Sequence, residues 1–368
     1  MHRCRKIGWW VLLLVVCTAC GQIDDDLSDC EPIVIPELEP EPEPEAKLDV
    51  DYELKLVTNM VTELQTQLNT VTEVEISDAL KDHLEDVFIG YAHDVDLSFY
   101  DTENGFESLV HINQIMNDSA RSYSIYLPMR EYMHLACANI VNNPVVSLEG
   151  FDNYKTARLV QATGDTINSH TTGLFTARSE MRVIEGVAQT FDVKLYMANA
   201  AAALVVDTTG VDIKSFRAYA KGFATSFQLA DSVYVFEEQS PYVRANMISM
   251  PDSVNQLSFC TVNFPSRNPN NWKMKEKEEV AVTRAIGEII PEGTSDGEVL
   301  WEYVAYVTLA NGFTTRTILT ITEPLLAGEF KIIRGRLDTK GVVQSDDSHV
   351  SISVSTDWGE GTNFNTGL

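Results

Sequence analysis

Apolar and polar side chains alternate in short runs along most of this chain, and this two-residue period constrains its fold more than any other feature. Because successive side chains of a β-strand point to opposite faces, each run predicts a strand with one buried face. The first run covers residues 48–56, and its apolar members are Leu48, Val50, Tyr52, Leu54 and Leu56. Further strands are predicted at residues 95–99, 123–127, 132–138, 191–197, 200–206, 223–229, 330–337 and 350–355.

One hairpin and one helix stand out between these runs. Residues 301–321 contain two β-branched and aromatic runs joined at Asn311-Gly312, a pair that favours a tight turn. Apolar residues at helical spacing over residues 80–88 predict a helix that Ser77 caps. Short strands with turns between them, few helices and no strand-helix-strand repeat predict an all-β protein built from antiparallel β-sandwiches.

The length of 368 residues favours more than one domain. Residues 164–181 are polar and weakly patterned, so they are interpreted as the connection between two domains. The predicted organisation is a signal peptide at 1–19, a tether at 20–46, an N-terminal β-sandwich at 47–178 and a C-terminal β-sandwich at 179–368.

The N-terminus has the pattern of a secretion signal. A basic start precedes an apolar run at residues 7–16, about half as long as the roughly 20 residues that cross a bilayer. The next residues, Cys17-Thr18-Ala19-Cys20, resemble a bacterial lipoprotein processing site, which predicts a mature chain that starts at a lipidated Cys20. The alternatives are lipidation of Cys17, which follows the bulkier Val16, and an ordinary cleaved signal in which Cys20 is a structural thiol.

The tether alternates proline with glutamate over residues 31–46. Proline fixes φ and like charges repel, so the tether is expected to be extended, and at about 3.1 Å per residue it would reach roughly 80 Å. Asp24, Asp25 and Asp26 resemble the acidic surface-export signals of lipoproteins from gut and oral anaerobes. The alternative for these aspartates is linker charge that no receptor binds.

The chain is strongly acidic, with a formal net charge of −27. Binding to nucleic acid needs clustered lysine and arginine that displace counterions, so no nucleic-acid partner is expected. Electrostatic adhesion to anionic lipid is disfavoured for the same reason. Membrane attachment is therefore expected through N-terminal acyl chains in the outer-membrane lipid, where about two hydrophobic signals give lasting anchorage.

The mature chain retains three cysteines besides Cys20, and they are Cys30, Cys137 and Cys260. Three thiols permit one disulfide, and their spacing alone does not select the pair. Cys30 with Cys137 is the favoured candidate, because this bridge would fasten the tether to the first folded domain and close a long loop. Three buried, unpaired thiols are the alternative.

The sequence contains no H-E-x-x-H, G-x-S-x-G, phosphate-loop or dinucleotide-binding pattern, so we predict no catalytic residue, no metal site and no cofactor, and expect a protein that is not an enzyme. The segment His93-Asp94-Val95-Asp96 sends its side chains to two strand faces, which favours a solvated strand edge over a metal site. Trp272 lies in a polar loop suited to an aromatic sugar platform. A glycan-binding surface lipoprotein is therefore the alternative function.

Seven further segments follow one another along the chain, and they are DDDLSDCEP (24–32), YELKLVTNM (52–60), FYDTENG (99–105), LPMREYMHLACAN (127–139), FDVKLYMANAAAALVVD (191–207), AGEFKIIRGRL (327–337) and VSISVSTDWGEG (350–361). Taken together and in this order, they resemble the FimB-type fimbrial anchor family of type V fimbriae, the fimbrillin-A-associated anchor proteins. The resemblance implies two tandem transthyretin-like β-sandwich domains and a role in holding a fimbrial shaft subunit at the outer membrane. Cys17 and the long tether depart from the family pattern.

The resemblance also implies assembly by strand exchange, in which a subunit loses its N-terminal strand to an arginine-specific protease and accepts a segment of its neighbour. A subunit that is lipidated at its N-terminus would leave the membrane if it lost that strand. The first arginine after Cys20 is Arg121, so this chain is expected to keep its first strand, residues 48–56. The candidate donor segment is the C-terminus, Trp358 to Leu368, and a frayed tail is the alternative.

Overall fold

The computed structural model describes residues 47–57, 74–87, 93–115, 122–249, 255–267 and 299–355, and these form twenty-two β-strands and one helix, α1 (Val74–Val87). The predicted all-β class is confirmed. The strands are β1 (Lys47–Val57), β2 (Asp94–Asp101), β3 (Ser108–Ile115), β4 (Ser122–Pro128), β5 (Glu131–Ala138), β6 (Val146–Glu149), β7 (Arg158–Gln161), β8 (Thr166–Asn168), β9 (Phe175–Arg182), β10 (Thr190–Met197), β11 (Ala200–Asp207), β12 (Ile213–Lys221), β13 (Ser226–Gln228), β14 (Val233–Val235), β15 (Tyr242–Arg244), β16 (Asn246–Ile248), β17 (Gln256–Asn263), β18 (Trp301–Leu309), β19 (Thr314–Ile321), β20 (Phe330–Leu337), β21 (Val343–Gln344) and β22 (Val350–Ser355).

These strands form four sheets. The seven-stranded sheet has the order β3-β2-β5-β9-β10-β1-β4, and the five-stranded sheet has the order β16-β17-β11-β20-β21. The six-stranded sheet has the order β22-β19-β18-β12-β15-β8, and the four-stranded sheet has the order β14-β13-β7-β6. Three hydrophobic clusters lie between the sheets, so the sheets pack in sandwich-like layers.

The strand β11 of the five-stranded sheet is buried on both faces, which explains why it is an unbroken apolar run. Its odd-numbered residues from 201 to 205 pack with the seven-stranded sheet and α1 in the first cluster. Its even-numbered residues from 200 to 206 pack with the six-stranded sheet in the second cluster. Because alternate side chains enter two different cores, no polar side chain is accommodated before Asp207.

The helix α1 covers part of the first cluster with one apolar stripe. Ile76, Leu80 and Leu84 are fully buried at the four-residue spacing of a helix face. The predicted helix is confirmed, but it begins at Val74, because the apolar stripe starts at Ile76. Ser77 therefore lies within the first turn and is not the cap. No helix in the described part of the chain is long and apolar enough to cross a membrane.

The third cluster lies between the seven-stranded and four-stranded sheets. Leu135 and Cys137 come from β5, while Leu159 comes from β7 and Phe227 from β13. β7 pairs directly with β13, although their paired residues lie 66 to 70 positions apart in the sequence, from Val160 with Ser226 to Arg158 with Gln228. The four-stranded sheet therefore contains strands from both halves of the chain.

The strands also cross the predicted domain boundary at residue 178. β9 runs through this position, and β10, which lies beyond it, pairs with β1. The stretch 164–181 was interpreted as a connection because it is polar, but it contains β8 and most of β9. Half of the side chains of β9 are not buried, which accounts for the polar composition. The stretch is part of the sheets, and strands from its two sides pair with one another, as β1 does with β10.

Three strand pairs are parallel, whereas the sequence predicts antiparallel neighbours. They are β1 with β10, β11 with β20, and β8 with β15. The alternation that identifies a strand gives its buried face but not its neighbour, so pairings between distant strands are not visible in the sequence. The predicted hairpin is confirmed, since Asn311-Gly312 joins β18 to β19 and Gly312 has a φ of 84°.

Candidate functional site

The first strand is the part of the predicted site that the structure describes, and it lies inside the seven-stranded sheet. Residues 51–57 of β1 pair in parallel with residues 190–196 of β10. On its other side, residues 47–53 pair in antiparallel fashion with residues 122–128 of β4. Two neighbouring strands therefore hold the backbone of β1, and it fills a position between them.

The alternation predicted for β1 is visible in its burial. Val50 is 2% exposed and lies opposite the buried Ile125 of β4, and Leu48 packs against the first cluster. The outward residues Asp49 and Asp51 are exposed. β1 therefore contributes to the core through one face and keeps its acidic face in water. The other predicted apolar residues of β1 pair with β10 through their backbones. Tyr52 pairs with Phe191, Leu54 with Val193, and Leu56 with Leu195.

The strands at the sheet edges differ from β1. β4 ends the seven-stranded sheet, and its Tyr126 is 62% exposed. β22 ends the six-stranded sheet, where β19 is its single partner among the described strands, and its Val354 is 43% exposed. An edge strand offers unpaired backbone groups to which another strand can be added. β22 stands three residues before the predicted donor segment 358–368.

Asp94 and Asp96 of β2 are buried, which corrects the solvated strand edge predicted for residues 93–96 at these two positions, whereas His93 before the strand is exposed. β2 lies between β3 and β5, so each of its eight residues is buried. Asp94 accepts hydrogen bonds from the backbone amides of Ile140 and Val141 at 2.8 and 2.9 Å. Burial raises the pKa of Asp96, although Nε2 of His111 at 2.7 Å acts to lower it. Both carboxylates therefore form hydrogen bonds with other groups of the protein.

Two further buried groups of the same sheet are held neutral. The His134 ring is fully buried, with Nδ1 2.9 Å from the backbone oxygen of Ser98, and burial lowers its pKa to about 4. Burial raises the pKa of the Cys137 thiol well above its ordinary value. A buried neutral thiol is a poor nucleophile. Among the described residues, no group of three His, Cys, Asp or Glu side chains is arranged to hold a metal ion.

Several predicted site residues lie outside the described residues. They are Cys20, Asp24, Asp25, Asp26, Cys30, Trp272 and the segment Trp358 to Leu368. Cys137 is described and lies buried in β5. Its pairing with Cys30, the lipid attachment, the export signal and the sugar contact stay predictions.

One surface cluster escaped the sequence analysis. It surrounds a depression of about 60 Å³ on the outer face of the six-stranded sheet, and its members are Thr166, Arg217, Tyr219, Tyr242 and Tyr306. These residues come from β8, β12, β15 and β18, which are far apart in sequence. A signal is present in β12, where large polar side chains alternate with the buried Ala218 and Ala220.

Comparison with protein-family models and with curated proteins finds no match for this sequence. Among solved structures, a candidate adhesin from Bacteroides ovatus ATCC 8483 is 14% identical with a TM-score of 0.49, over 83% of this chain and 95% of that one. The fimbrial anchor protein Mfa2 from Porphyromonas gingivalis is 12% identical with a TM-score of 0.40, over 84% of this chain and 98% of that one.

The tip fimbrial protein Mfa3 from Porphyromonas gingivalis, with a C-terminal truncation, is 12% identical with a TM-score of 0.35, over 86% of this chain and 100% of that one. The structures similar to this chain therefore include an anchor protein and a tip protein of fimbriae.

Proposed function

We propose that this protein is a lipid-anchored, surface-exposed protein of the outer membrane that anchors or caps a type V-like fimbrial polymer at its base. The observation that carries the proposal is the place of β1 between β10 and β4. In strand exchange, each subunit inside the polymer has lost this strand and receives a replacement strand from the neighbouring subunit. A subunit that keeps the strand has no vacancy there, so it ends a polymer and does not extend it.

The burial of β1 supports its retention. Removing the strand would expose the part of the first cluster that Val50 covers and would leave two rows of backbone groups without partners, one on β10 and one on β4. The sequence agrees with retention, because no arginine occurs between Cys20 and Arg121. An arginine-specific protease therefore lacks a cleavage position that would release β1 alone.

The N-terminal features supply the attachment in this proposal. Acyl chains on Cys20 hold the protein in the outer-membrane lipid, and the acidic residues Asp24, Asp25 and Asp26 direct it to the cell surface. The proline- and glutamate-rich tether then separates the folded part from the membrane. Because the whole chain is acidic, attachment depends on the acyl chains and not on basic residues.

The contact with the shaft subunit is assigned to the other end of the chain. The edge strand β22 and the segment Trp358 to Leu368 follow one another, so an added strand could extend the six-stranded sheet or the segment could enter a groove of the partner. Either arrangement uses backbone pairing for affinity. No catalytic step is part of the proposal, which is consistent with the buried, neutral His134 and Cys137.

The test is a substitution of the lipidated cysteine in the producing cell. Cys20→Ala is expected to release fimbriae into the medium or to give abnormally long filaments, because the polymer is no longer held or ended at the membrane. Cys17→Ala is the matched control, since it changes the neighbouring cysteine and should leave filaments attached. Electron microscopy of cells and immunoblotting of the culture medium measure the outcome. Attached filaments of normal length in Cys20→Ala cells would contradict the proposal.

A further inference from the structure

The outer face of the six-stranded sheet carries charge of the opposite sign to the rest of the chain. Ala218, Val243, Ala305 and Leu319 pack into the second cluster, so alternate residues of their strands face away from it. The charged residues at these outward positions are Arg217, Lys221, Arg244, Glu302 and Arg316. Four cations and one carboxylate form a basic patch on a protein of net charge −27.

Three tyrosine rings lie at the centre of this patch. The Tyr219 ring meets the Tyr306 ring at a centroid distance of 5.9 Å and an angle of 87°, and the Tyr242 ring at 6.4 Å and 81°. Nζ of Lys221 lies 5.1 Å from the centre of the Tyr242 ring. The rings therefore fix one another edge to face, and this rigid aromatic floor borders the depression beside Arg217.

The arginines of the patch are available to a ligand. Arg217 and Arg244 are exposed, and neither forms an ion pair with a carboxylate among the described residues. Nε of Arg316 is buried and has no hydrogen-bond partner in the described part of the chain. Because the protein covers this nitrogen, Arg316 contributes charge to the patch, and direct contacts with a ligand fall to the exposed Arg217 and Arg244.

The surroundings favour an acidic carbohydrate over a protein. Tyrosine and arginine are common in protein interfaces as well, but lysine is depleted there, whereas Lys221 lies over the Tyr242 ring in this patch. The other outward positions are mostly hydroxyl side chains, a type that suits sugar hydroxyls. Thr308 and Thr314 bind each other, and Thr320 donates to the backbone oxygen of Ser351. Thr166, Ser351 and Ser353 also face outward. The backbone of the inner strands is used in the sheet, so recognition falls to side chains.

We propose that this face binds an acidic polysaccharide built from uronic-acid units. The depression of about 60 Å³ has room for a carboxylate and not for a whole sugar ring, so one carboxylate enters it and pairs with Arg217. The sugar rings lie along the tyrosines, and Lys221 and Arg244 contact the carboxylates of adjoining units. This binding is separate from membrane attachment and from β1, so it does not depend on the anchor role.

The test uses the mature protein with polygalacturonate as the acidic probe and dextran as the neutral one. Titration calorimetry is expected to show binding of polygalacturonate that weakens as salt rises, and no binding of dextran. The double substitution Arg217→Ala with Arg244→Ala should weaken binding at least about tenfold. Tyr242→Ala should weaken it by about the same factor through lost ring contact.

The matched control removes two exposed cations from the seven-stranded sheet, Arg182→Ala with Lys194→Ala, and should bind as the unchanged protein does. Thermal unfolding of each variant verifies that it is folded. The proposal is overturned if polygalacturonate fails to bind, if dextran binds equally well, or if both double variants lose affinity alike. Loss of binding to the shaft subunit in the Arg217 and Arg244 variant, without polygalacturonate binding by the unchanged protein, would assign the face to a protein partner instead.

Discussion

The first and the last described strands of this protein occupy opposite kinds of position. β1 is an inner strand with a partner on each side, one parallel and one antiparallel. β22 is an edge strand that pairs with β19 alone among the described strands. An inner strand is difficult to exchange, because two ladders and a core face must be given up together. An edge strand accepts a new partner without any loss, so the two ends of the chain are suited to different tasks.

The side chains of the two strands follow the same division. Val50 of β1 is 2% exposed and belongs to the first cluster, whereas Val354 of β22 is 43% exposed. The N-terminal strand is therefore part of the stability of the seven-stranded sheet. The C-terminal strand reaches the second cluster through Val350 and the partly buried Ile352, while Val354 near its end stays exposed on an edge that another subunit can use.

The largest predicted effect comes from placing the same charge in each strand. Val50→Asp buries a carboxylate that lacks a partner and is expected to lower the free energy of unfolding by about 4 kcal/mol or more. Val354→Asp is the matched control and should lower it by less than about 1 kcal/mol, because its side chain reaches water. Urea unfolding followed by circular dichroism measures both. Equal effects of the two substitutions would remove the distinction between an inner and an edge strand.

Acid should weaken the sheet that contains β1. Burial lowers the pKa of His134 to about 4, so the folded protein keeps this imidazole neutral while the unfolded chain binds a proton below about pH 6.5. Between pH 6.5 and 4 the unfolded state therefore binds more protons than the folded state. The free energy of unfolding then falls by about 1.4 kcal/mol for each unit by which the pH is lowered, or about 3 kcal/mol from pH 6.5 to 4. His170 acts in the same direction, because burial lowers its pKa to about 3.

The contribution of His134 is isolated by comparing His134→Gln with the unchanged protein in urea unfolding at several pH values. The variant should lose stability less steeply between pH 6.5 and 4. Burial raises the pKa of Asp96, which acts in the opposite direction as pH falls, but Asp96 is present in both proteins and its effect cancels in the difference. Parallel pH profiles would mean that His134 does not titrate on unfolding.

The smallest effect on stability is predicted for a charge at the exposed edge. Ser353→Lys on β22 should change the free energy of unfolding by no more than about 0.5 kcal/mol, since the residue is exposed. A lysine at an edge discourages the addition of another strand, so capture of the shaft subunit in a pull-down should decrease. Lys47→Ser, which removes an exposed cation from the start of β1, is the control and should leave capture unchanged.

The sequence predicts the strands well where alternation or apolar content is strong. β20 and β22 have the predicted bounds, and β1, β10, β11 and the β18-β19 hairpin lie where the patterns place them. The neighbours of these strands are not predicted, because a two-residue period indicates which face of a strand is buried but not which strands pair with it. The parallel pairs and the strands hidden in the polar stretch 164–181 follow from contacts between distant segments.

The candidate sites also differ in how much of each can be predicted from the sequence. The place of residues 48–56 in a strand with one buried face is visible in their alternation, and the structure adds that the strand lies between β10 and β4. The tyrosine and arginine patch depends on four strands meeting in one sheet, so the alternation in β12 indicates one outward face and not the patch as a whole. The buried state of Asp94 and Asp96 was missed for a related reason, since their partners belong to distant residues such as Ile140.

The most direct test of the central claim is mass analysis of this protein recovered from assembled surface filaments. The account predicts a chain that begins at a diacylated or triacylated Cys20 and still contains the peptide of β1, residues 47–57, without a break between Cys20 and Arg121. A polypeptide that begins after Arg121, or one that lacks residues 47–57, would contradict the account, because the first strand would then have been exchanged and the lipid attachment lost with it.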